Sequence, residues 1–391
     1  MKNKIITRSV WILSLVSLFT DISSEMLYPV MPIYLKTIGF SVVIIGILEG
    51  FAEATAGISK GYFGNLSDQM GRRLPFISWG YLLSSISKPM LAAFIFPAWV
   101  FFARTIDRLG KGLRTGARDA MLSDQTAPEN KAKVFGFHRG MDTLGAAIGP
   151  IVALLYLYYN PGSYKTLFLI AFIPGILGAL LTFLLKDTGT KAVAKTNYSF
   201  FQFFKYWKLS SREYKQLVIG LLAFTFFNSS DVFLLLMLKQ RGFDDTMVIS
   251  AYIFYNLVYA VTSYPMGRLA DRIGVRTTFM TGLAIFVVVY MGMAFNKNII
   301  GFYILFFLYG IYAASTEGIS KAWISNVSEK KDVATAIGFY SSFNSLLTMC
   351  ASAIAGLIWY HFNPSATFIF TGCGVLMVII YFVFRKVSTK S

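Results

Sequence analysis

Twelve stretches of this chain are long and apolar enough for a helix to cross a bilayer, and no other feature narrows the fold as far. A crossing helix needs about 20 mostly apolar residues. The stretches run approximately over 9–35, 42–63, 74–95, 98–121, 134–158, 165–185, 214–238, 246–265, 277–296, 299–322, 333–360 and 365–384. Only helices and closed barrels satisfy every backbone polar group in hydrocarbon, and runs of this length predict an all-α membrane protein with twelve transmembrane helices. Composition agrees. The chain is 55% hydrophobic and 14% charged, against about 25% charged in a soluble domain, which leaves too little polar side chain to coat a water-soluble fold. The fourth stretch is the most polar, and hydropathy barely admits it.

The net charge of +17, from 36 Lys and Arg against 19 Asp and Glu, needs no nucleic-acid partner. Cytoplasmic loops of membrane proteins collect Lys and Arg. With the N-terminus inside, the cytoplasmic segments hold about 21 basic residues and the outer loops about five. Both termini are therefore expected in the cytoplasm, and the protein in the cell's inner membrane. The longest loop, roughly 186–213, carries Lys186, Lys191, Lys195, Lys205, Lys208 and Arg212. It divides the chain into an N-terminal bundle, 1–185, and a C-terminal bundle, 214–391. The first span follows Lys2, Lys4 and Arg8 as a signal peptide would, yet it is long, contains Asp21 and Glu25, and lacks a small-residue cleavage site. It reads as a retained helix. Cys350 and Cys373 sit in apolar runs and read as small core residues. Neither His138 nor His361 has metal-ligand spacing to other donors, and no cofactor is expected.

The two halves repeat. Gly64-Asn65-Leu66-Ser67-Asp68-Gln69-Met70-Gly71-Arg72-Arg73 follows span two, and Gly267-Arg268-Leu269-Ala270-Asp271-Arg272-Ile273-Gly274-Val275-Arg276 follows span eight, 203 residues later. Gly136-Phe137 at the start of span five matches Gly338-Phe339 at the start of span eleven, 202 residues on. Leu35-Lys36 and Gly39-Phe40 match Leu238-Lys239 and Gly242-Phe243. On these residues, above all the doubled G-x-L-x-D-x-x-G-x-R, the chain resembles the major facilitator superfamily over nearly its whole length. The resemblance implies two six-helix bundles around a central cavity, alternating access by rocking, and a gating role for the signature loops. Asp68 and Asp271 are suited to cap helix ends or pair with nearby arginines; Arg72, Arg73 and Arg272 belong to the same loops. On span five, Gly136, Gly145, Gly149 and Pro150 approximate a glycine-rich pattern that the family associates with export by antiport. Small residues there let helices approach closely. The last glycines of the fuller pattern are replaced by Ile151-Val152-Ala153.

Charges within the spans carry the rest of the reading, because an ionisable group at bilayer depth costs about 2.5–3.5 kcal/mol on insertion scales and needs a partner or a wet cavity. Asp21 and Glu25 share one face of span one, as Glu49 and Glu53 do on span two. Span four carries Arg104, Asp107, Arg108, Lys111, Arg114, Arg118 and Asp119; its five basic groups fall within about 120° of arc. Span five adds Arg139 and Asp142, and the second half has Asp231, Glu317 and Lys321. The carboxylates of spans one, two and five are expected against the basic face of span four. Asp21, Glu25, Glu49, Glu53 and Asp142 are the proton-coupling candidates. Arg104, Arg108, Asp231, Glu317 and Tyr255 are the substrate-binding candidates, with Tyr252, Tyr259, Phe227 and Trp323 as further cavity-lining aromatics. Arg114, Arg118, Asp119 and Arg139 are expected near the cytoplasmic end, in the gate with Asp68. Either Arg104 or Arg108 holds the family's span-four arginine position; Arg108 has the expected spacing to Gly112.

These features together predict a proton-coupled secondary transporter, a monomer in the lipid bilayer, exporting a small amphipathic compound by antiport. A symporter importing an organic anion or metal chelate on the basic face of span four is the second reading, and a non-transporting receptor the third. No phosphate-binding G-x-x-x-x-G-K-[ST] loop is present in the sequence, and no nucleophile–base constellation points to an enzyme.

Overall fold

The computed structural model describes residues 5–40, 42–187, 202–243 and 245–385, except for some side chains within 32–50 and 245–249, that of Glu49 among them. Lys2, Lys4, Lys191 and Lys195 lie outside the described residues, as does most of the expected linker.

The described chain is helical throughout its long elements. In order they are α1 (Arg8–Leu27), α2 (Met31–Thr37), α3 (Val42–Met70), α4 (Leu74–Ala93), α5 (Pro97–Asp124), α6 (Lys131–Tyr159), α7 (Tyr164–Leu181), α8 (Lys205–Leu209), α9 (Arg212–Phe227), α10 (Val232–Gln240), α11 (Asp245–Ile273), α12 (Val275–Phe295), α13 (Ile299–Val327), α14 (Val333–His361) and α15 (Pro364–Phe384). Counting α1–α2 and α9–α10 as single broken spans, these are the twelve expected spans plus the short α8. Among the described residues eight of these spans are long and apolar enough by themselves to suit a membrane, and α3, α4, α5 and α11 are not among them; the polar fourth span still forms one unbroken helix, α5.

Two spans are broken where an unbroken run was expected to be continuous or merely bent. Span one stops at Leu27 and restarts at Met31. Pro29 has no N–H to give the helix, and Pro32 falls in the first turn of α2, where a missing donor costs nothing. Span seven breaks at Asn228-Ser229-Ser230-Asp231 without any proline. Short polar side chains offer the backbone other bonds there: Ser230 Oγ accepts from Val232 N at 3.3 Å, and Ser352 Oγ accepts from Ser230 N at 3.3 Å. The two breaks fall at matching places in the repeat. The signature loops also match, turning through Gly71 (φ 61°) and Gly274 (φ 98°) in the left-handed region that glycine enters without strain.

The chain packs as two compact units. The first comprises Met1–Ala127, Met141–Leu209 and Glu329–Ser342; the second comprises Pro128–Gly140, Ser210–Ser328 and Phe343–Ser391. The first turns of α6 thus pack in the second unit, and the first turns of α14 in the first. A core of the first unit gathers Leu35, Leu91, Val100 and Leu167 about Tyr34, whose ring meets Phe168 edge-on at 4.8 Å. The second unit is built around Phe224, Phe279, Phe286, Tyr290 and Trp323.

Large apolar side chains such as Leu155, Ile173, Phe183 and Leu357 are exposed, as suits a surface facing lipid. This corrects the reading of the cysteines: Cys350 and Cys373 are exposed. In a bilayer an apolar residue on the outside is as well solvated as one in the core, and hydropathy cannot separate the two.

Candidate functional site

In the first unit, small residues bring charged helices together. Gly110 of α5 sits against Gly80 and Ser84 of α4, and Gly112 against Ser59 of α3. A methyl on Gly145 of α6 would lie 3.1 Å from Asp21 Cβ and from Ile22 N, and one on Gly149 would lie 2.7 Å from Ile22 O and Met26 N. The glycines of span five therefore press α6 onto α1 at the turns that carry Asp21 and Glu25; Pro150 follows within the same helix. Asp142 stands one turn before Gly145, and its carboxyl lies against that of Asp21, with Glu25 and Lys111 close by. Ser17 Oγ also donates to Asp142. Arg118 Nη1 reaches Ser17 Oγ at 3.5 Å and binds Asp119 through Nε and Nη2, both at 2.9 Å.

The rest of the basic face of α5 meets acids or polar groups. Arg108 pairs with Glu53 at 3.3 Å, and Arg104 lies 3.8 Å from Asp107. Arg114 donates to Ser84 Oγ at 2.6 Å and stacks 4.5 Å above the Tyr81 ring. Asp107 has a stronger partner that the sequence reading passed over. Lys88 of α4 is buried, and its Nζ donates to Asp107 Oδ1 at 2.7 Å and to Ser24 Oγ at 3.4 Å. Its signal was available: a lysine within an apolar span, between Ser87 and Pro89, demands a partner.

The signature aspartates do the same work in both units. Asp68 Oδ2 accepts from Thr335 N and Oγ1, each at 2.6 Å, at the N-terminus of α14. Asp271 accepts from Ala132 N at 3.1 Å and Lys133 N at 3.0 Å, at the N-terminus of α6. Each caps unsatisfied helix donors and meets the positive end of the dipole. Asp68 adds an ion pair to Arg73, which is fully buried and also faces Asp124 at 3.6 Å. Arg72 and Arg272 are exposed. Arg114, Arg118 and Asp119 bond to α1 and α4 or to each other.

In the second unit, Asp231 stands at the head of α10. Tyr255 Oη donates to it at 2.5 Å and Ser230 Oγ at 3.4 Å. Tyr255 lies 5.3 Å from Tyr309 and 5.5 Å, edge-on, from Tyr252; Tyr309 lies 5.2 Å from Tyr312. Arg139 was expected near the cytoplasmic end with the gate residues. It bonds to Glu317 and donates to Tyr259 Oη at 2.6 Å, and the start of α6 packs in the second unit. Of the other aromatics, Trp323 is a packing residue, fully buried against Phe279 and Phe382, and Phe227 packs on Gly374 and Phe370. No group of three or more His, Cys, Asp or Glu side chains suited to a metal occurs among the described residues.

Comparison with known proteins fits this architecture. A family model described as the Major Facilitator Superfamily matches residues 13–255 and 217–391. An uncharacterized MFS-type transporter of Methanocaldococcus jannaschii is 31% identical over 384 residues, covering 96% of this chain and 93% of the relative. A multi-drug resistance efflux pump PmrA homolog of Lactococcus lactis is 24% identical over 397 residues, covering 95% and 94%. Among solved structures, the human organic anion transporter MFSD10 superposes with a TM-score of 0.81 over 96% of this chain and 99% of that one, at 16% identity. With a doubled signature loop, twelve helical spans and a family match along both halves, the chain belongs to the Major Facilitator Superfamily, a family of membrane transporters and not of enzymes.

Proposed function

We propose that the protein is a proton-coupled antiporter that exports a small amphipathic compound from the cell. The observation that carries this reading is the Asp21–Asp142 carboxyl pair, pressed together at bilayer depth by Gly145. Two carboxyls in contact cannot both be ionised cheaply, so the pair holds one proton. Separating α1 from α6 would leave each carboxyl to the nearest cation, Lys111 or Arg118, and release it. A helix motion is thereby linked to a proton. The glycines of span five and the relatedness to an efflux pump homolog favour export. Glu25 and Glu53 modulate the pair through Lys111 and Arg108, and Glu49 stays a candidate on sequence alone.

In this reading the halves 1–185 and 214–391 are the moving bodies, joined by 186–213, in an inner membrane with both termini in the cytoplasm, and the monomer is the working unit. Asp68 and Asp271 latch helix ends on the cytoplasmic side. Import of an organic anion is less favoured, because Arg104, Arg108 and Arg118 each already face a carboxylate.

The test is proton movement in proteoliposomes carrying a pH-sensitive dye, with an imposed gradient of candidate compounds. Antiport requires protons to run against the compound, and symport with it. Asp142→Asn is expected to cut exchange by about 100-fold, the scale of a lost essential proton group. Proton flux unchanged in Asp21→Asn, Asp142→Asn and the double variant would overturn the assignment.

A further inference from the structure

The described end of the linker carries a buried ring. Phe203, in the turn Gln202–Phe204 just before α8, is 2% exposed although it belongs to the basic loop that divides the halves. Its ring sits in a notch on α3. A methyl on Gly61 would lie 2.5 Å from Phe203 Cε2, and 2.7 Å from Phe203 Cδ2 and from Ser342 Oγ, so the ring occupies the place where α3 has no side chain. Phe203 also meets Phe339 of α14 near edge-on at 6.4 Å. One turn on, the Trp207 ring lies parallel to Phe339 at 5.7 Å. Phe339 is buried beneath the two rings. All of these residues belong to the first unit. There the first turns of α14 lie along α3, with Thr335 on Asp68, Ala334 against Gly64 and Gly338 against Lys60. Phe203 fills the next turn, at Gly61 and Ser342.

The repeat shows what the linker ring replaces. At a spacing of 203 residues Gly61 stands opposite Tyr264, and at 202 Phe339 stands opposite Phe137. In the second unit Tyr264 covers Phe137 itself, edge-on at 6.1 Å. There α11 brings its own ring to the start of α6. In the first unit α3 offers a glycine, and the ring comes from the linker, which has no counterpart in the repeat. A ring fixed to a helix leaves only with that helix. A ring on the linker can leave while α3 and α14 stay intact, since apolar contact is non-directional and re-forms readily. Outside the two rings the segment is shallow: Lys205, Lys208 and Leu209 of α8 are exposed.

We propose that the end of the linker is a detachable strap, in which Phe203 and Trp207 hold the first turns of α14 against α3 and whose release lets those turns part. The strap goes beyond the antiport reading and needs neither its proton nor its direction.

The experiment is amide hydrogen exchange, read by mass spectrometry, on the purified full-length protein in lipid nanodiscs without gradient or substrate. Two segments are followed, 203–209 and 335–342; local opening appears as faster exchange. Phe203→Ala is expected to speed exchange in both by about tenfold, and Trp207→Ala to do so by less. Gly61→Tyr gives α3 the ring that α11 has. It should displace Phe203 and speed exchange in 203–209 while 335–342 stays protected under the introduced ring, which general destabilisation would not do. In the second unit, Tyr264→Gly should speed exchange at the start of α6 and leave 203–209 unchanged. Thermal unfolding confirms that each variant is folded; if Gly61→Tyr is not, Phe203→Ala and Trp207→Ala decide. Unchanged exchange of 335–342 in folded Phe203→Ala, or a still-protected 203–209 in folded Gly61→Tyr, would overturn the proposal. Asp142→Asn should keep wild-type exchange in both segments, so failure of the strap and failure of the antiport reading are read apart.

Discussion

The two units share a skeleton and differ in how they treat charge. Both cap a helix N-terminus with a signature aspartate, turn through a left-handed glycine, and break one span at matching places. Yet α5 and its repeat partner α13 have diverged. At a spacing of 202 residues, Arg104, Asp107, Arg108 and Lys111 stand opposite Phe306, Tyr309, Gly310 and Ala313. The first unit answers charge with charge, through Lys88–Asp107, Arg108–Glu53 and Arg118–Asp119. The second surrounds one carboxylate with tyrosine. Duplication preserved what the helix ends and turns require physically; the helix faces, where chemistry is done, were free to separate.

That contrast can be broken by substitution. The largest effect is expected at Arg73, whose loss leaves Asp68 and Asp124 buried without their cation. Arg73→Ala should cost about 3–5 kcal/mol, whereas Arg276→Ala, which only releases the Phe382 and Val383 carbonyls at the end of α15, should cost about 1–2 kcal/mol. Thermal unfolding of the purified variants reads both, and equal losses would show that the two loops are not differently loaded. Next, Lys88→Met should destabilise by about 3 kcal/mol, and adding Asp107→Leu should restore most of it, since an apolar pair can replace a buried ion pair but a lone charge cannot. Purely additive losses in that cycle would mean that Lys88 and Asp107 are not coupled.

A smaller effect is expected where glycine closes the helices of one unit only. Gly145→Val should cost about 1–3 kcal/mol by overpacking against Leu18 and Asp21, and slow proton exchange by parting the carboxyls. Leu347→Ala, at the matching place in α14, should cost about 1 kcal/mol or less and leave exchange rates alone. If both variants slow exchange equally, the glycines serve packing and not coupling. Smallest of all, Arg72→Ala and Arg272→Ala remove exposed side chains and should shift stability by no more than about 0.5 kcal/mol. Any strong loss of transport rate in these two, read in the proteoliposome assay, would mark them as gate residues despite their exposure.

Much of the fold was legible because its signals are local. Hydropathy placed the ends of α14 and α15 within a residue, and the break in span one falls at a proline, Pro29, a local signal the sequence carries. The break at Asn228–Asp231 was missed because no proline marks it. Glu53 of span two was legible as a partner of span four, since each costly charge must be met, whereas Asp21 and Asp142 of spans one and five meet each other. Asp142 turned toward Asp21, and Arg139 toward Glu317, through the packing of α6 against elements far away in sequence. Lys88 was missed although its rule was the same one that found Asp21.

The sequence by itself determined that this chain spans a membrane in twelve helices, that its halves repeat, and that its buried charge is concentrated on α5 and the helices facing it. Those properties follow from side-chain solvation and short-range spacing, which need no knowledge of neighbours. Tertiary structure alone decided that the Asp21 and Asp142 carboxyls meet, that Lys88 neutralises Asp107, and that Asp231 lies beside Tyr255 with no Lys or Arg paired to it among the described residues. Pairing energies depend on separations of a few ångströms between helices, and those separations are set by glycine contacts such as Gly145 on Asp21, which only the folded chain brings about.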